Sequence, residues 1–496
     1  MKHLVQNISN RFPVAKATLA LLLGCWFAFT PAAEASKTGP LEVEITLENY
    51  EYDFVLLAYH FGNKQYIQDT LFLEGNTARI TYQEGLPVGV YLCVLQPDNR
   101  YFEFIVNEDD FKITVDAQQP VETFKAKGSQ ENKLFYEYLR FSSERGALAD
   151  SLRTQADTLE AQGKAEQADA LRERVAEVSK EIADFREQVI QKHPDAFLAM
   201  VFDIMRDPEI PEPPASAEDT ATWKYQYFKA HYFPEGIFQN DDALRTPVFH
   251  QRLVNFFDTV VPQHPDSIAH QADRLIDMAE GDSVMFQYVL VTILNKYVQS
   301  KVMGMDAVYV HLIERYYLSG KAHWVAEETL EKMRERVTLM KPTLIGKTAP
   351  DLTMMDLAGR KHTLHELDAE YTILYFYDHS CGHCKKVSPK MAKVYDRLAE
   401  HGVAWYAIDI VPDQEKMKKF VEDHEMHGLN VADFYNTSGF RQKYDIQSTP
   451  VTLILDADKK IIAKKLSPEQ VEDLLERMLE LETDDQQGEE PGTTEG

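Results

Sequence analysis

Cysteine is scarce in this chain, and its scarcity limits the chemistry that the few thiols can support. The 496 residues include four cysteines, at positions 25, 93, 381 and 384. A structural zinc site usually takes four ligands, and Cys93 is far along the chain from the pair at 381 and 384. His379 and His383 could complete a local site, but ligands crowded into one short segment seldom surround one metal. A c-type haem needs histidine directly after the second cysteine, where this chain has Lys385. The sequence therefore predicts no metal and no cofactor.

Positive charge and long apolar runs are also in short supply. The chain has 52 Lys and Arg against 80 Asp and Glu, which gives a formal net charge of −28. Nucleic acids and anionic lipid surfaces would be repelled, so we expect no nucleic-acid partner. Beyond the N-terminus, no stretch approaches the roughly 18 uninterrupted apolar residues that crossing a bilayer requires. We therefore expect no membrane span.

The N-terminus has the pattern of a secretory signal. Within residues 1–35, three basic residues precede an apolar stretch at 17–29, and Ala33-Glu34-Ala35 is a small-x-small cleavage site. An alternative is the segment Leu22-Leu23-Gly24-Cys25, which resembles a bacterial lipoprotein box and would make Cys25 a lipid anchor. Apolar residues continue past Cys25, whereas a lipid-anchored start is normally followed by a polar linker. The sequence thus favours an exported protein in the periplasm or cell envelope, cleaved after residue 35.

The strongest motif is Cys381-Gly382-His383-Cys384. It follows the apolar run 372–377 and precedes a helical pattern at 385–399. A strand would bring the first sulfur to the surface, and a helix starting at the second would offer its unpaired backbone N–H groups to a thiolate. This placement predicts a redox-active dithiol and disulfide.

The two cysteines are expected to have different roles. Cys381 precedes the helix, so its thiolate is favoured by the helix dipole and by a neighbouring imidazolium from His383. We expect Cys381 to be the attacking sulfur. Cys384, one step into the helix, is expected to be less accessible and to resolve the mixed disulfide. Cys93, between two apolar residues of a strand pattern, is most simply a buried core thiol.

Four further motifs appear in a fixed order around this pair and carry a resemblance to a known family. They are Gly346-Lys347-Thr348-Ala349-Pro350-Asp351-Leu352, the turn Asp356-Leu357-Ala358-Gly359, Pro389, and Ser448-Thr449-Pro450. Together with the Cys-x-x-Cys pair, they make residues 345–481 resemble the thioredoxin superfamily. Within it, the segment is similar to the TlpA-like, redoxin-type envelope oxidoreductases.

The resemblance implies roles for particular residues and also shows two departures. Pro450 is expected in a cis-proline loop against the sulfurs, where the backbone of Thr449 can pair with an extended substrate peptide. Thioredoxins have Trp before the first cysteine, but this chain has Ser380. They bury an acid six residues before it, where this chain has Tyr375. Asp378 could substitute for that acid if it turns inward.

Residue patterns outside the motifs predict a multidomain α/β protein. Short apolar runs at 372–377, 403–408 and 451–455 indicate buried strands, and Ser467-Pro468-Glu469-Gln470 is a capping box for a last helix. The predicted segments are a signal peptide (1–35), an antiparallel β-sandwich (36–128), an all-α middle domain (129–340), a thioredoxin-like α/β domain (341–481) and a disordered acidic tail (482–496). The β-sandwich and helical middle resemble pieces that precede thioredoxin domains in Bacteroidetes envelope proteins.

These observations favour an exported thiol-disulfide oxidoreductase. Its partners would be protein thiols or disulfides in the cell envelope, together with an upstream electron donor or acceptor. An alternative is an envelope binding or scaffold protein whose thioredoxin-like domain mainly recognises a partner. Peroxidase activity is disfavoured, because the peroxide-reducing relatives have Thr where this chain has Asp378. For His379, the simplest interpretation is a solvated neighbour of the site.

Overall fold

The computed structural model describes residues 38–481. Of these, 38–263 and 271–291 form one compact unit, and 264–270 and 292–481 form the other. The predicted signal peptide, Cys25 and the predicted acidic tail lie outside the described residues. The predicted domain boundaries stay predictions.

Fifteen strands are found in the described part of the chain, in three sheets. In chain order they are β1 Leu41–Glu48, β2 Phe54–Phe61, β3 Lys64–Phe72, β4 Thr77–Tyr82, β5 Gly89–Leu95, β6 Arg100–Val106, β7 Phe111–Asp116, β8 Lys125–Lys127, β9 Thr353–Asp356, β10 Lys361–Thr363, β11 Tyr371–Tyr377, β12 Val403–Asp409, β13 Leu429–Ala432, β14 Val451–Leu455 and β15 Ile461–Lys464.

The α-helices of residues 38–481 fall mainly between the two groups of strands, with four among or after the C-terminal strands. They are α1 Pro120–Thr123, α2 Gln130–Ala161, α3 Ala165–Lys192, α4 Phe197–Met205, α5 Thr220–Ala230, α6 Phe249–Asn255, α7 Pro265–Met278, α8 Ser283–Val298, α9 Asp306–Leu312, α10 Glu327–Met340, α11 Cys384–Leu398, α12 Gln414–Asp423, α13 Phe440–Lys443 and α14 Pro468–Met478. None of these helices has the length and apolar composition that crossing a bilayer requires.

The N-terminal strands form two four-stranded sheets, in the segment for which the sequence predicts a β-sandwich. Their orders are β4-β1-β7-β8 and β3-β2-β5-β6. In β1, alternate residues are buried in the cluster between the sheets and the others face outward. One pairing differs from the expected antiparallel arrangement, because β1 and β7 run parallel. The chain between them passes through the second sheet, and such a long crossover allows a parallel return that a hairpin would forbid.

Strand β5 is buried along its whole length, and Cys93 lies in its middle. On one face, Tyr91 and Cys93 contribute to the cluster between the sheets. On the other face, Val90 packs in a cluster that includes Phe197 and Phe202 of α4. Helix α4 therefore covers this sheet, which explains why the strand lacks the polar alternation of β1.

Helices α2 and α3 form a helical hairpin within the predicted all-α middle segment. The turn lies at Gly163, where the backbone takes a left-handed conformation with φ of +74° that glycine adopts without steric cost. Ser129 caps α2, since its side chain accepts a hydrogen bond from the backbone N–H of Asn132. Val178 and Val189 are buried members of the apolar stripe on α3.

The C-terminal sheet has seven strands in the order β10-β9-β13-β12-β11-β14-β15. Strand β11 lies near its centre, parallel to β12 and antiparallel to β14. Residues 372–377 are all buried because the sheet has a core cluster on each face. The predicted capping box is present at Ser467 and Gln470, at the start of α14. The fold is thus a mixed α/β protein with N-terminal β-sheets, a helical middle and a C-terminal α/β domain.

Candidate active site

The site begins where β11 ends, and a short turn leads from there into α11. Asp378 organises this turn: its carboxylate accepts hydrogen bonds from the backbone N–H (2.7 Å) and hydroxyl (2.6 Å) of Ser380. Its carbonyl accepts a third from the N–H of Cys381 at 3.0 Å. Burial raises the pKa of Asp378, but the hydrogen bonds from Ser380 outweigh it, and the pKa lies below its ordinary value. Asp378 therefore holds the turn instead of turning inward to replace the missing acid.

The two thiols of the motif differ in exposure. Cys381 is half-buried, whereas Cys384 is completely buried as the first residue of α11. Both are free thiols, and the Cys381 thiol donates a hydrogen bond to the carbonyl oxygen of Thr449, with the two atoms 3.6 Å apart. A partner disulfide could reach Cys381 but not Cys384.

The electrostatics of the two sulfurs also differ. The backbone N–H of Cys384 is the main group that lowers the pKa of Cys381, and burial opposes it. The side chain of Cys384 and the backbone N–H of His383 lower this pKa further, so it lies below its ordinary value. Burial raises the pKa of Cys384 to about 11, and the neighbouring Cys381 adds to the rise. The side chain of His383 is exposed. The backbone N–H of His383 acts on the Cys381 thiolate, whereas a role for its imidazole stays a prediction.

The loop before β14 lies against the first sulfur. The peptide bond between Thr449 and Pro450 is cis, as the resemblance implies. Both residues are half-buried, so part of this loop remains accessible beside Cys381. The structure brings Cys381, Cys384, Thr449 and Pro450 together, while substrate binding by the last two stays a prediction.

Two tyrosines of β11 lie in the same core cluster as Cys384. Tyr375, at the position where thioredoxins bury an acid, shares a buried hydrogen bond with the hydroxyl of Ser388 at 3.0 Å. The hydroxyl of Tyr377 is buried and has no hydrogen-bond partner among residues 38–481. Burial raises the pKa of both tyrosines well above the ordinary value. Neither hydroxyl can therefore take the place of a carboxylate base near neutral pH.

The expectation that His379 is solvated is wrong. His379 is 7% exposed, and its Nδ1 lies 2.7 Å from Oδ2 of Asp409, which is 1% exposed. Burial raises the pKa of Asp409, although the hydrogen bond from His379 opposes it. Sequence reasoning missed Asp409, and the only available signal was an acid at the end of an otherwise apolar strand pattern.

Comparison with known proteins agrees with the thioredoxin-like fold of the C-terminal domain. Residues 345–464 match the AhpC/TSA family. The chain carries a thioredoxin-like domain. Over 136 residues it is 29% identical to a thiol-disulfide oxidoreductase ResA from Bacillus cereus, a match that covers 27% of this chain and 77% of the relative. The thioredoxin-like domain thus makes the chain a homologue of thiol-disulfide oxidoreductases.

Solved structures of related proteins are also similar to this chain. A thioredoxin-like protein from Bacteroides caccae covers 54% of this chain and 97% of its own length, at 20% identity and a TM-score of 0.45. A domain of a possible thiol-disulfide isomerase from Cytophaga hutchinsonii is 38% identical over 28% of this chain and 94% of its own, with a TM-score of 0.27. The helical residues ahead of the thioredoxin-like domain, 163–342, match a domain of unknown function, DUF5106.

The described residues contain no group of three or more His, Cys, Asp or Glu side chains arranged to hold a metal ion. The thioredoxin-like domain instead presents one half-exposed sulfur with a lowered pKa above one buried sulfur with a raised pKa. Such a pair can attack a disulfide with the first sulfur and close on itself with the second.

Proposed function

We propose that this protein is an exported thiol-disulfide oxidoreductase that exchanges disulfides with protein partners in the cell envelope through Cys381 and Cys384. The observation that carries the proposal is the asymmetry of the pair. Cys381 is accessible and favours the thiolate, whereas Cys384 is buried and favours the thiol. The homology to ResA-type oxidoreductases supports the same chemistry.

The reaction proceeds by two exchanges. The Cys381 thiolate attacks a sulfur of the partner's disulfide, which forms a mixed disulfide and releases the partner's other sulfur as a thiolate. Cys384 then attacks the Cys381 sulfur, and the bond between Cys381 and the partner breaks. The partner leaves with two thiols, and the protein holds the Cys381–Cys384 disulfide. The reverse sequence oxidises a dithiol partner, so an upstream electron donor or acceptor resets the pair.

Partner recognition is assigned to the loop at Thr449 and Pro450. An extended peptide laid beside Cys381 would pair with the backbone of Thr449 and place its own sulfur near the attacking thiolate. Because the Cys381 thiol contacts the Thr449 carbonyl, a peptide paired with the backbone of Thr449 would lie beside the attacking sulfur.

Export is part of this proposal and rests on the sequence pattern of residues 1–35. In an oxidising compartment an exposed dithiol is either a disulfide donor or is kept reduced by a partner. Fractionation of cells that produce the full chain would test this part separately, since a cytoplasmic location would contradict it.

Redox titration of the full chain is the first experiment. Equilibration with thiol-disulfide buffers is expected to give a reversible two-electron couple that Cys381→Ser eliminates. The Cys384→Ser variant is then expected to accumulate mixed disulfides with envelope proteins, identified after non-reducing gel separation. If the pair never forms a disulfide and Cys384→Ser traps nothing, the binding or scaffold alternative is favoured instead.

A further inference from the structure

The proposed function leaves open where the proton of Cys384 goes, and the inference below rests on that function. Cys384 is completely buried, so its thiol must lose its proton inside the protein before it can attack Cys381. The position that would supply a buried acid in a thioredoxin is Tyr375, whose hydroxyl is bonded to Ser388. Tyr375 therefore supplies no carboxylate base for this proton.

Asp409 lies on the same face of the sheet as Cys384. In the register of the parallel strands β11 and β12, Asp409 is paired with Tyr377, and paired residues point to the same face. Tyr377 and Tyr375 belong to the core cluster that contains Cys384, whereas the intervening Phe376 belongs to the cluster on the other face. The alternation thus places the Asp409 carboxylate on the Cys384 side.

Tyr377 lies close enough to Asp409 and to Cys384 for their charges to affect its pKa. Burial, then the charge on Asp409, and more weakly that on Cys384, raise the pKa of Tyr377. Its hydroxyl is buried and has no hydrogen-bond partner among the described residues. A buried hydroxyl that lacks a partner is costly, which favours a transient bond to a neighbouring thiol or carboxylate.

The surroundings of the Asp409–His379 pair are partly charged. The charge of Asp378 raises the pKa of Asp409, and Asp413 at the start of α12 lies within electrostatic range of His379. Asp413 is itself paired with Lys416 at 2.8 Å. Asp378 and Asp413 are at least partly solvated, and titrate at lower pH than Asp409, since the pKa of each lies below its ordinary value.

We propose that the buried Asp409–His379 pair accepts the proton of Cys384 through the Tyr377 hydroxyl when Cys384 resolves the mixed disulfide. The Cys384 S–H bond breaks, and the proton passes to the pair. The Cys384–Cys381 bond forms, the bond from Cys381 to the partner breaks, and the partner leaves as a thiolate that takes a proton from water. In the reverse reaction the pair returns its proton to Cys384. Asp409 and His379 act through Tyr377 and are positioning residues.

The two exchanges can be timed separately with DTNB, an aromatic disulfide that releases a coloured thiolate at each step. In the full chain with Cys25→Ser and Cys93→Ser, the first release reports attack by Cys381 and the second reports resolution by Cys384. We expect Asp409→Asn to slow the second release at least about tenfold near neutral pH. Proton transfer by a positioned side chain typically accelerates a reaction by about a hundredfold or more, so a tenfold loss is a low threshold. His379→Gln and Tyr377→Phe are expected to slow the same step, and the first release should change by less than about twofold.

The chain offers a matched control in a largely exposed His–Asp pair of the same domain, His427 and Asp396. Their side chains are 68% and 37% exposed, and the atoms Nδ1 and Oδ2 are 3.0 Å apart. Asp396→Asn is expected to leave both releases unchanged. The pH profile of the second release should lose its inflection in Asp409→Asn but keep it in Asp396→Asn. A merely structural role for Asp409 would lower the melting temperature without moving this inflection.

The outcomes separate this inference from the proposed function. Absence of the first release in the unaltered pair would overturn the proposed function itself. A normal first release with an unchanged second release and pH profile in Asp409→Asn would overturn only the role of the Asp409–His379 pair. If Asp409→Asn does not fold, His379→Gln and Tyr377→Phe decide by the same criterion, because both retain the carboxylate.

Discussion

The strand around Cys93 and the strand end before Cys381 show how position decides what a cysteine does. Cys93 lies in the middle of β5, which pairs with β2 on one side and β6 on the other. Its side chain is 1% exposed, and burial raises the pKa of its thiol far above the ordinary value. Cys381 follows a strand instead, and the N–H groups of the next helix are free to point at its sulfur.

The difference lies in the backbone. In a paired strand, the N–H groups are used by the sheet, so none is left to stabilise a thiolate. At a helix start, the first N–H groups have no partner within the helix, and an anion can take them. A thiol at the junction of a strand and a helix can therefore be stabilised as a thiolate, and the chain provides such a junction for Cys381.

The largest effect expected from this comparison concerns activity. Cys381→Ser should abolish reduction of a disulfide substrate such as insulin, because no other sulfur of the pair is accessible. Cys93→Ser should keep the rate within about twofold, since a buried, protonated thiol does not attack. Turbidity assays of insulin reduction would measure both. A comparable loss in the Cys93 variant would contradict the assignment of Cys93 to the core.

The second effect concerns the pH dependence of alkylation. Because the pKa of Cys381 is lowered, its thiolate fraction should reach its plateau at a lower pH than for an unperturbed cysteine. We expect the iodoacetamide rate of Cys384→Ser to rise with pH and level off early. Cys93 should stay unmodified until the protein unfolds. Mass spectrometry of peptides after timed labelling would follow both sites in one sample. Equal alkylation rates for Cys381 and Cys93 would contradict the expected difference between the two thiols.

The third effect concerns stability, for which we expect substitution of Cys93 to cost more than substitution of Cys381. Cys93→Ser puts a hydroxyl in an apolar core, and we expect a loss of about 1–3 kcal/mol from the free energy of unfolding. Cys381→Ser, at a half-exposed position, should change it by less than about 0.5 kcal/mol. Denaturant unfolding of the two variants in the reduced state would measure the difference. A larger loss for Cys381→Ser would mean that its sulfur has a structural role.

The smallest expected effect concerns the stability of two variants in the C-terminal sheet, Tyr375→Phe and Tyr377→Phe. Tyr375→Phe removes the partner of the Ser388 hydroxyl, so we expect a cost of about 1 kcal/mol. Tyr377→Phe removes a hydroxyl that has no partner among the described residues and should be neutral or slightly stabilising. Melting temperatures of the two variants, compared side by side, would show the sign. A cost for Tyr377→Phe would point to a bond that forms in solution.

The local features of the site could be predicted from the sequence. The strand before Cys381, the helix that starts at Cys384 and the capping box at Ser467 depend on residues close together in the chain. Apolar runs, helical periodicity and caps act within a few residues, so their signal survives without knowledge of the fold. The different roles predicted for the two sulfurs follow from the same local order.

What the sequence by itself determined is therefore the dithiol, its strand and helix, and the thioredoxin-like architecture. Only the tertiary structure decided that His379 is buried against Asp409 and that β1 and β7 run parallel. It also decided that the Tyr377 hydroxyl has no hydrogen-bond partner among residues 38–481. The physical reason is that these arrangements depend on which strands become neighbours and in which register. Asp409 reaches His379 only because β12 lies beside β11, a pairing between segments that are not adjacent in the chain.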